Sequence, residues 1–241
     1  MDLKAALQYI VGLGDTKTFE IDGKTYADSE LKPVEEPRYY LRGVQFGSLD
    51  AIIKMVKAEL KMFTDSTYPM YIRVTDYKTV DVFSAPDDRA KREWPYSAVC
   101  EDTSFHEGYR TQQEAIIELR SRFLPTPDVD YLLSLISTIN NEQGVRSEDN
   151  GVTQTITAKS GVSMLQNVDI KPRVSLQPFR TFREVPQPES EFILRLDERG
   201  NVGLFEADGG MWKMEAKDNI MSFLTYGLRE EIESGLVVIM V

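Results

Sequence analysis

The sequence predicts an α+β fold: a small helix-strand N-terminal part, a central helical hairpin, and an antiparallel β-rich C-terminal part closed by a helix. Three observations predict it. Apolar residues recur at helical spacing over residues 48–63, 111–124 and 127–140. From about Gln143 the pattern changes to period two and holds. A chain of 241 residues, 41% hydrophobic and 28% charged, has an ordinary globular composition and is long enough to bury a core without staples. The expected parts are residues 1–105 (α+β), 106–142 (helical hairpin) and 143–241 (β-rich with a terminal helix).

Taken in order, Leu3, Leu7, Ile10 and Val11 sit at helical spacing, and Gly12 and Gly14 end that helix. Thr18 to Tyr26 reads as a small hairpin turning on Asp22-Gly23. Residues 28–38 are acidic and carry Pro33 and Pro37, which makes them a linker. Ser48 caps the next helix, Asp50 suits its first turn, and Leu49, Ile52, Ile53, Val56, Leu60 and Phe63 form its apolar stripe. Met70–Val74 and Thr79–Phe83 alternate as an antiparallel pair, and a third strand follows around Tyr96 to Cys100.

Thr111-Gln-Gln-Glu114 is a capping box that opens a helix, and Pro125 stops it. Thr126-Pro127-Asp128 starts a second helix, with proline at its first position. Gly151 to Ala158 is rich in β-branched residues but weakly apolar, as a two-sided or edge strand is. Val174 and Leu176 alternate with Arg173 and Ser175. Phe192–Leu196 and Val202–Phe205 form a hairpin across Glu198 to Asn201. A last helix is expected over Ala216 to Ile232. Leu236 to Val241 remains as an apolar tail, either a terminal strand or a subunit contact.

Charge and cysteine content narrow the chemistry. The net charge of −11 disfavours binding nucleic acid by charge alone. It suits a soluble protein, a basic protein partner, or mimicry of a phosphate array by Glu35-Glu36, Asp87-Asp88, Glu148-Asp149 and Glu230-Glu231. Ordinary solvated loops and helix ends account for those four pairs equally. One cysteine (Cys100) and one histidine (His106) exclude an intramolecular disulfide and a Cys/His zinc site. No apolar run is long enough to span a membrane and no signal peptide is evident, so the expected location is cytoplasmic.

The order of elements resembles the YfdQ-like family of uncharacterised phage and prophage proteins. The resemblance rests on the capping motif Thr111-Gln-Gln-Glu114, the leucine-rich Tyr131-Leu-Leu-Ser-Leu135, and the strand Pro172-Arg-Val-Ser-Leu-Gln-Pro-Phe179. It covers most of the chain in architecture. Phe179 to Val185 and Glu206 to Gly210 match nothing assignable in that family, and the chain is shorter than its usual members. The resemblance implies a phage-encoded accessory protein in the host cytoplasm, and it carries no catalytic residues over.

Candidate chemistry lies in the stretch from Asp169 to Lys213. Arg173, Arg180 and Arg183, with Lys171, form a local basic segment interleaved with Phe179 and Phe182, and Arg195 follows. Such an arginine-aromatic face can hold a nucleotide or a single strand by phosphate contact and stacking. A strand edge whose arginines pair with surplus carboxylates has the same pattern. Glu206 and Asp208 lie two apart, on one face of a strand, as two oxygen ligands for Mg²⁺ or Ca²⁺ would. A strand ending in an Asp-Gly turn looks the same. No Walker loop, dinucleotide fingerprint or nucleophile elbow occurs. The reading is therefore a non-enzymatic protein that needs no cofactor and acts by binding a host or defence protein. The alternative is a nucleic-acid or nucleotide binder, and self-association through the C-terminal tail is expected with either.

Overall fold

Two apolar cores organise the chain from residue 42 onward. The computed structural model describes residues 3, 4, 7, 9, 17–27, 43–62, 69–86, 93, 95–101, 105–140, 145–149, 154–159, 165–197 and 199–240, with backbone only across 139–169. The chain divides into two compact units, Met1–Leu41 and Arg42–Val241.

In the first unit, strands β1 (Thr18–Ile21) and β2 (Lys24–Ala27) form an antiparallel hairpin. Asp22 and Gly23 turn it with φ of 53° and 72°. A tight hairpin asks for that left-handed pair, and Asp-Gly supplies it at low steric cost. The helix expected over residues 3–13 is described only at 3, 4, 7 and 9, which are helical. The linker at 28–38 lies outside the described residues.

In the second unit, a five-stranded sheet runs in the order β14-β4-β5-β6-β3. Its strands are β3 (Val44–Phe46), β4 (Met70–Val74), β5 (Thr79–Phe83), β6 (Tyr96–Val99) and β14 (Val237–Met240). Strands β4, β5 and β6 are antiparallel neighbours, as their alternation predicts, while β14 and β3 add in parallel at the two edges. Helix α1 (Leu49–Met62) buries Leu49, Ile52 and Val56 against this sheet. Ser48 caps α1, its hydroxyl accepting from Ala51 N at 3.2 Å.

The second core lies between a four-stranded antiparallel sheet and a helical pair. The sheet order is β11-β12-β13-β7, with β7 (Gly108–Arg110), β11 (Arg173–Leu176), β12 (Ser190–Leu196) and β13 (Val202–Glu206). The helices are α2 (Gln112–Arg122) and α3 (Pro127–Asn140). The capping box forms as the sequence predicts: Thr111 and Glu114 exchange backbone and side-chain hydrogen bonds. Phe105, Phe123 and Phe192 pack edge to face at the centre of this core. Between α3 and β11 in chain order, β8 (Val145–Asp149), β9 (Gln154–Lys159) and β10 (Leu165–Ile170) form a three-stranded antiparallel sheet with β9 in the middle. The strand expected at 151–158 is thus β9, a central strand.

Two expectations are corrected. The chain does not divide at residues 105 and 142, because elements on either side of those points share sheets and cores. Strand β7 completes the C-terminal sheet, and α4 (Trp212–Gly227) and β14 belong to the N-terminal sheet and core. The last helix starts at Trp212, not Ala216, and breaks at Leu228 before a short α5 (Arg229–Glu233). Gly227 sits where α4 meets α1, and a Cβ there would lie 2.4 Å from Ile53 Cδ1. The apolar tail takes the first of its two expected forms, a terminal strand: β14 pairs with β4 along one side.

Candidate functional site

The segment between β11 and β12, residues 177–189, ties the two cores together. Phe182 and Val185 sink into the core of the five-stranded sheet. The Thr181 hydroxyl donates to Tyr77 O in the β4–β5 turn at 2.6 Å. Glu184 Oε1 accepts from Leu49 N at 2.9 Å, which places a carboxylate at the positive end of α1. Buried Gln187 closes the segment on itself. Its Oε1 accepts from the backbone of Arg180 and Thr181, and its Nε2 donates to Phe182 O and Val185 O. A segment whose arginines and phenylalanines suggest a binding face in sequence is therefore a clasp between the two cores.

Arg180 is the centre of that clasp. It is only 4% exposed. Its Nη1 donates to Glu206 Oε1 and its Nη2 to Ser190 Oγ, each at 2.7 Å. Its guanidinium lies 4.2 Å from the Trp212 ring centre and 5.4 Å from that of Phe192, a residue of the second core. Burial pushes the guanidinium below its ordinary pKa, and the Glu206 and Asp208 carboxylates hold it up against that. The expectation of one face bearing Arg173, Arg180, Arg183 and Arg195 is corrected here. Arg180 is interior. Arg183 is exposed on the clasp, 5.0 Å from the Phe179 ring centre. Arg173 and Arg195 share the outer face of the four-stranded sheet.

The carboxylates considered for a metal are occupied by protein donors. Glu206 takes Arg180 and, through Oε2, Trp212 Nε1 at 3.2 Å. Asp208 accepts from the Ser190 hydroxyl at 2.8 Å, from Gly210 N at 3.0 Å and from Trp212 N at 3.4 Å. Burial works to raise the Asp208 pKa, but those hydrogen bonds and the Arg180 charge outweigh it, and the carboxyl lies below its usual range. The pair is thus a half-buried counter-ion and a turn at the start of α4. No group of three metal-ligating side chains occurs among the described residues. Cys100 is half-buried beside the end of β6, and His106 is exposed before β7.

The outer face of the four-stranded sheet is a small lattice set by register. Arg195, Gly203 and Tyr109 are partners across β12, β13 and β7. Arg173, Ile193 and Phe205 are partners across β11, β12 and β13. Gly203 is the floor of this lattice. A Cβ there would lie 2.8 Å from both the Phe205 ring and the Tyr109 ring, so only glycine lets both rings lean across the strand. The rings meet edge to face with centres 5.6 Å apart. Tyr109 remains 47% exposed. Charged groups rim the apolar centre: Arg173 pairs with Glu191 at 2.7 Å, and Glu107 accepts from Glu206 N at 2.7 Å.

Sequence reasoning identified Arg173 and Arg195 but missed Tyr109, Ile193, Gly203 and Phe205. Gly203 alone carried a signal, an isolated glycine inside a strand pattern. No protein-family profile, curated protein or solved structure matches the chain.

Proposed function

We propose that this protein works by binding, and that the outer face of the β11-β12-β13-β7 sheet receives a protein partner. The observation that carries the reading is the exposed Tyr109 ring, held with Phe205 over Gly203 and rimmed by Arg173, Arg195, Glu191 and Glu107. Protein interfaces concentrate tyrosine and arginine at such an apolar centre with a polar rim. The net charge of −11 weighs against a polyanionic ligand. The resemblance to YfdQ-like phage proteins supports a host or defence protein as the partner, met in the host cytoplasm.

The test compares proteins that co-purify with the wild type, with Tyr109→Ala and with Arg195→Glu from infected or defence-carrying cells. The expected result is a partner lost with both variants and regained with Tyr109→Phe. A set of co-purifying proteins that is identical across all the baits would refute the reading. The nucleic-acid reading keeps one supporting feature, a guanidinium and an aromatic ring in the same lattice row, Arg195 and Tyr109. Low-salt titration of labelled oligothymidine separates the two: Tyr109-dependent binding would favour that alternative.

A further inference from the structure

We infer that two copies of this chain join edge to edge through β14, so that the five-stranded sheet continues across a two-fold axis. Strand β14 ends the sheet order, and its four residues, Val237-Val-Ile-Met240, carry neither charge nor proline. Natural edge strands usually carry one or the other to stop such pairing. The edges of the other large sheet are blunted. The Arg110 guanidinium donates to Tyr109 O and His106 O along β7. Asp128 and Tyr131 of α3 take the Ser175 and Lys171 N–H groups at β11. Among the described residues, no such side-chain hydrogen bond reaches β14.

Register specifies how the copies meet. Met70 N donates to Leu236 O. In a parallel ladder alternate residues face the neighbour, so Val237 and Ile239 turn their N–H and C=O groups to the outer edge. An antiparallel second copy satisfies those groups when Val237 lies opposite Ile239 and Val238 lies opposite itself. Val238 is 37% exposed and would meet its own counterpart on the two-fold axis.

The helical layer over this edge is shaped for the same partner. Helices α4 and α5 both pack on β14. On the flank of α4 away from Gly227 and α1, Met221, Thr225, Tyr226, Arg229, Ile232 and Glu233 line a groove of about 650 Å³. Tyr226 is 86% exposed beside it. Arg229 and Glu233 pair along α5 at 2.7 Å. Arg229 and Glu233 give the groove one charge of each sign, as a patch that meets its own copy across a two-fold axis requires. Neutral backbone edge and a groove of mixed charge select a second copy over a polyanion or a uniformly charged partner.

The test uses the full chain. Sedimentation is expected to give a dimer, and Val238→Lys, which sets two ammonium groups together on the axis, is expected to weaken it at least tenfold with unchanged circular dichroism. In a Cys100→Ser background, Val238→Cys is expected to form an intermolecular disulfide under mild oxidation, because directly opposed, non-hydrogen-bonded residues bring their Cα atoms within disulfide reach. Ser234→Cys is expected to form none. A monomer at all concentrations would overturn the inference. So would a dimer indifferent to Val238→Lys that forms no Val238→Cys disulfide.

Discussion

Replacing Arg180 with methionine tests whether the clasp is structural. The substitution keeps an unbranched chain between the Trp212 and Phe192 rings but removes the charge. Glu206 then keeps only Trp212 Nε1, at 3.2 Å, from its present partners, with its side chain 24% exposed. Breaking a buried pair by removing one partner costs about 3–5 kcal/mol, because the remaining charge stays desolvated. The partial exposure of Glu206 admits water and sets the expectation at the lower end, about 3 kcal/mol. For a unit of this size that lowers Tm by about 6–12 °C. Adding Glu206→Gln removes the orphaned charge and still offers an oxygen to Trp212, so the double variant should regain about half of the loss. Urea and thermal unfolding followed by circular dichroism measure both steps. A single variant within about 1 kcal/mol of wild type, or a double variant no more stable than the single, would refute the reasoning.

Three further outcomes are expected. Gly227→Ala sets a Cβ 2.4 Å from Ile53 Cδ1 and should lose about 1–2 kcal/mol after the helical gain of alanine; Ile53→Val deletes that methyl, and a double-mutant cycle should show favourable coupling. Asp208→Asn should destabilise at pH 7. The folded pKa of Asp208 is depressed, so its contribution is full above the unfolded value of about 3.9 and is lost as pH falls through the folded one. The wild-type advantage in urea midpoint should therefore hold from pH 7 to pH 5 and narrow below about pH 4; an advantage that grows on acidification contradicts the assignment. Thr111→Ala, which deletes the α2 cap, should cost about 1 kcal/mol in equilibrium unfolding, with the loss of amide protection confined to the start of α2.

Legibility in the sequence followed the range of the interaction. The capping box at Thr111, the Asp22-Gly23 turn and the strands at 70–74, 79–83, 173–176 and 192–205 rest on neighbours within a few residues, and all were readable. The break in the last helix was not; it falls beside Gly227, whose close approach to Ile53 is a long-range contact. The lattice on the outer sheet face was half readable. Alternation placed Arg173 and Arg195 outward, but Tyr109 reaches Gly203 only because β7 joins a sheet whose other strands begin more than sixty residues later.

The sequence by itself determined the class of the fold, most element positions and an acidic surface, since periodicity, caps and turn residues act locally. Tertiary structure decided which elements share a core and what the arginines do. Thr181 meets Tyr77 across 104 positions and Glu184 meets Leu49 across 135. Arg180, patterned like a surface arginine, is interior because Trp212, Phe192 and Glu206 converge on it from three other elements. Burial is a property of that convergence, and no local pattern encodes it.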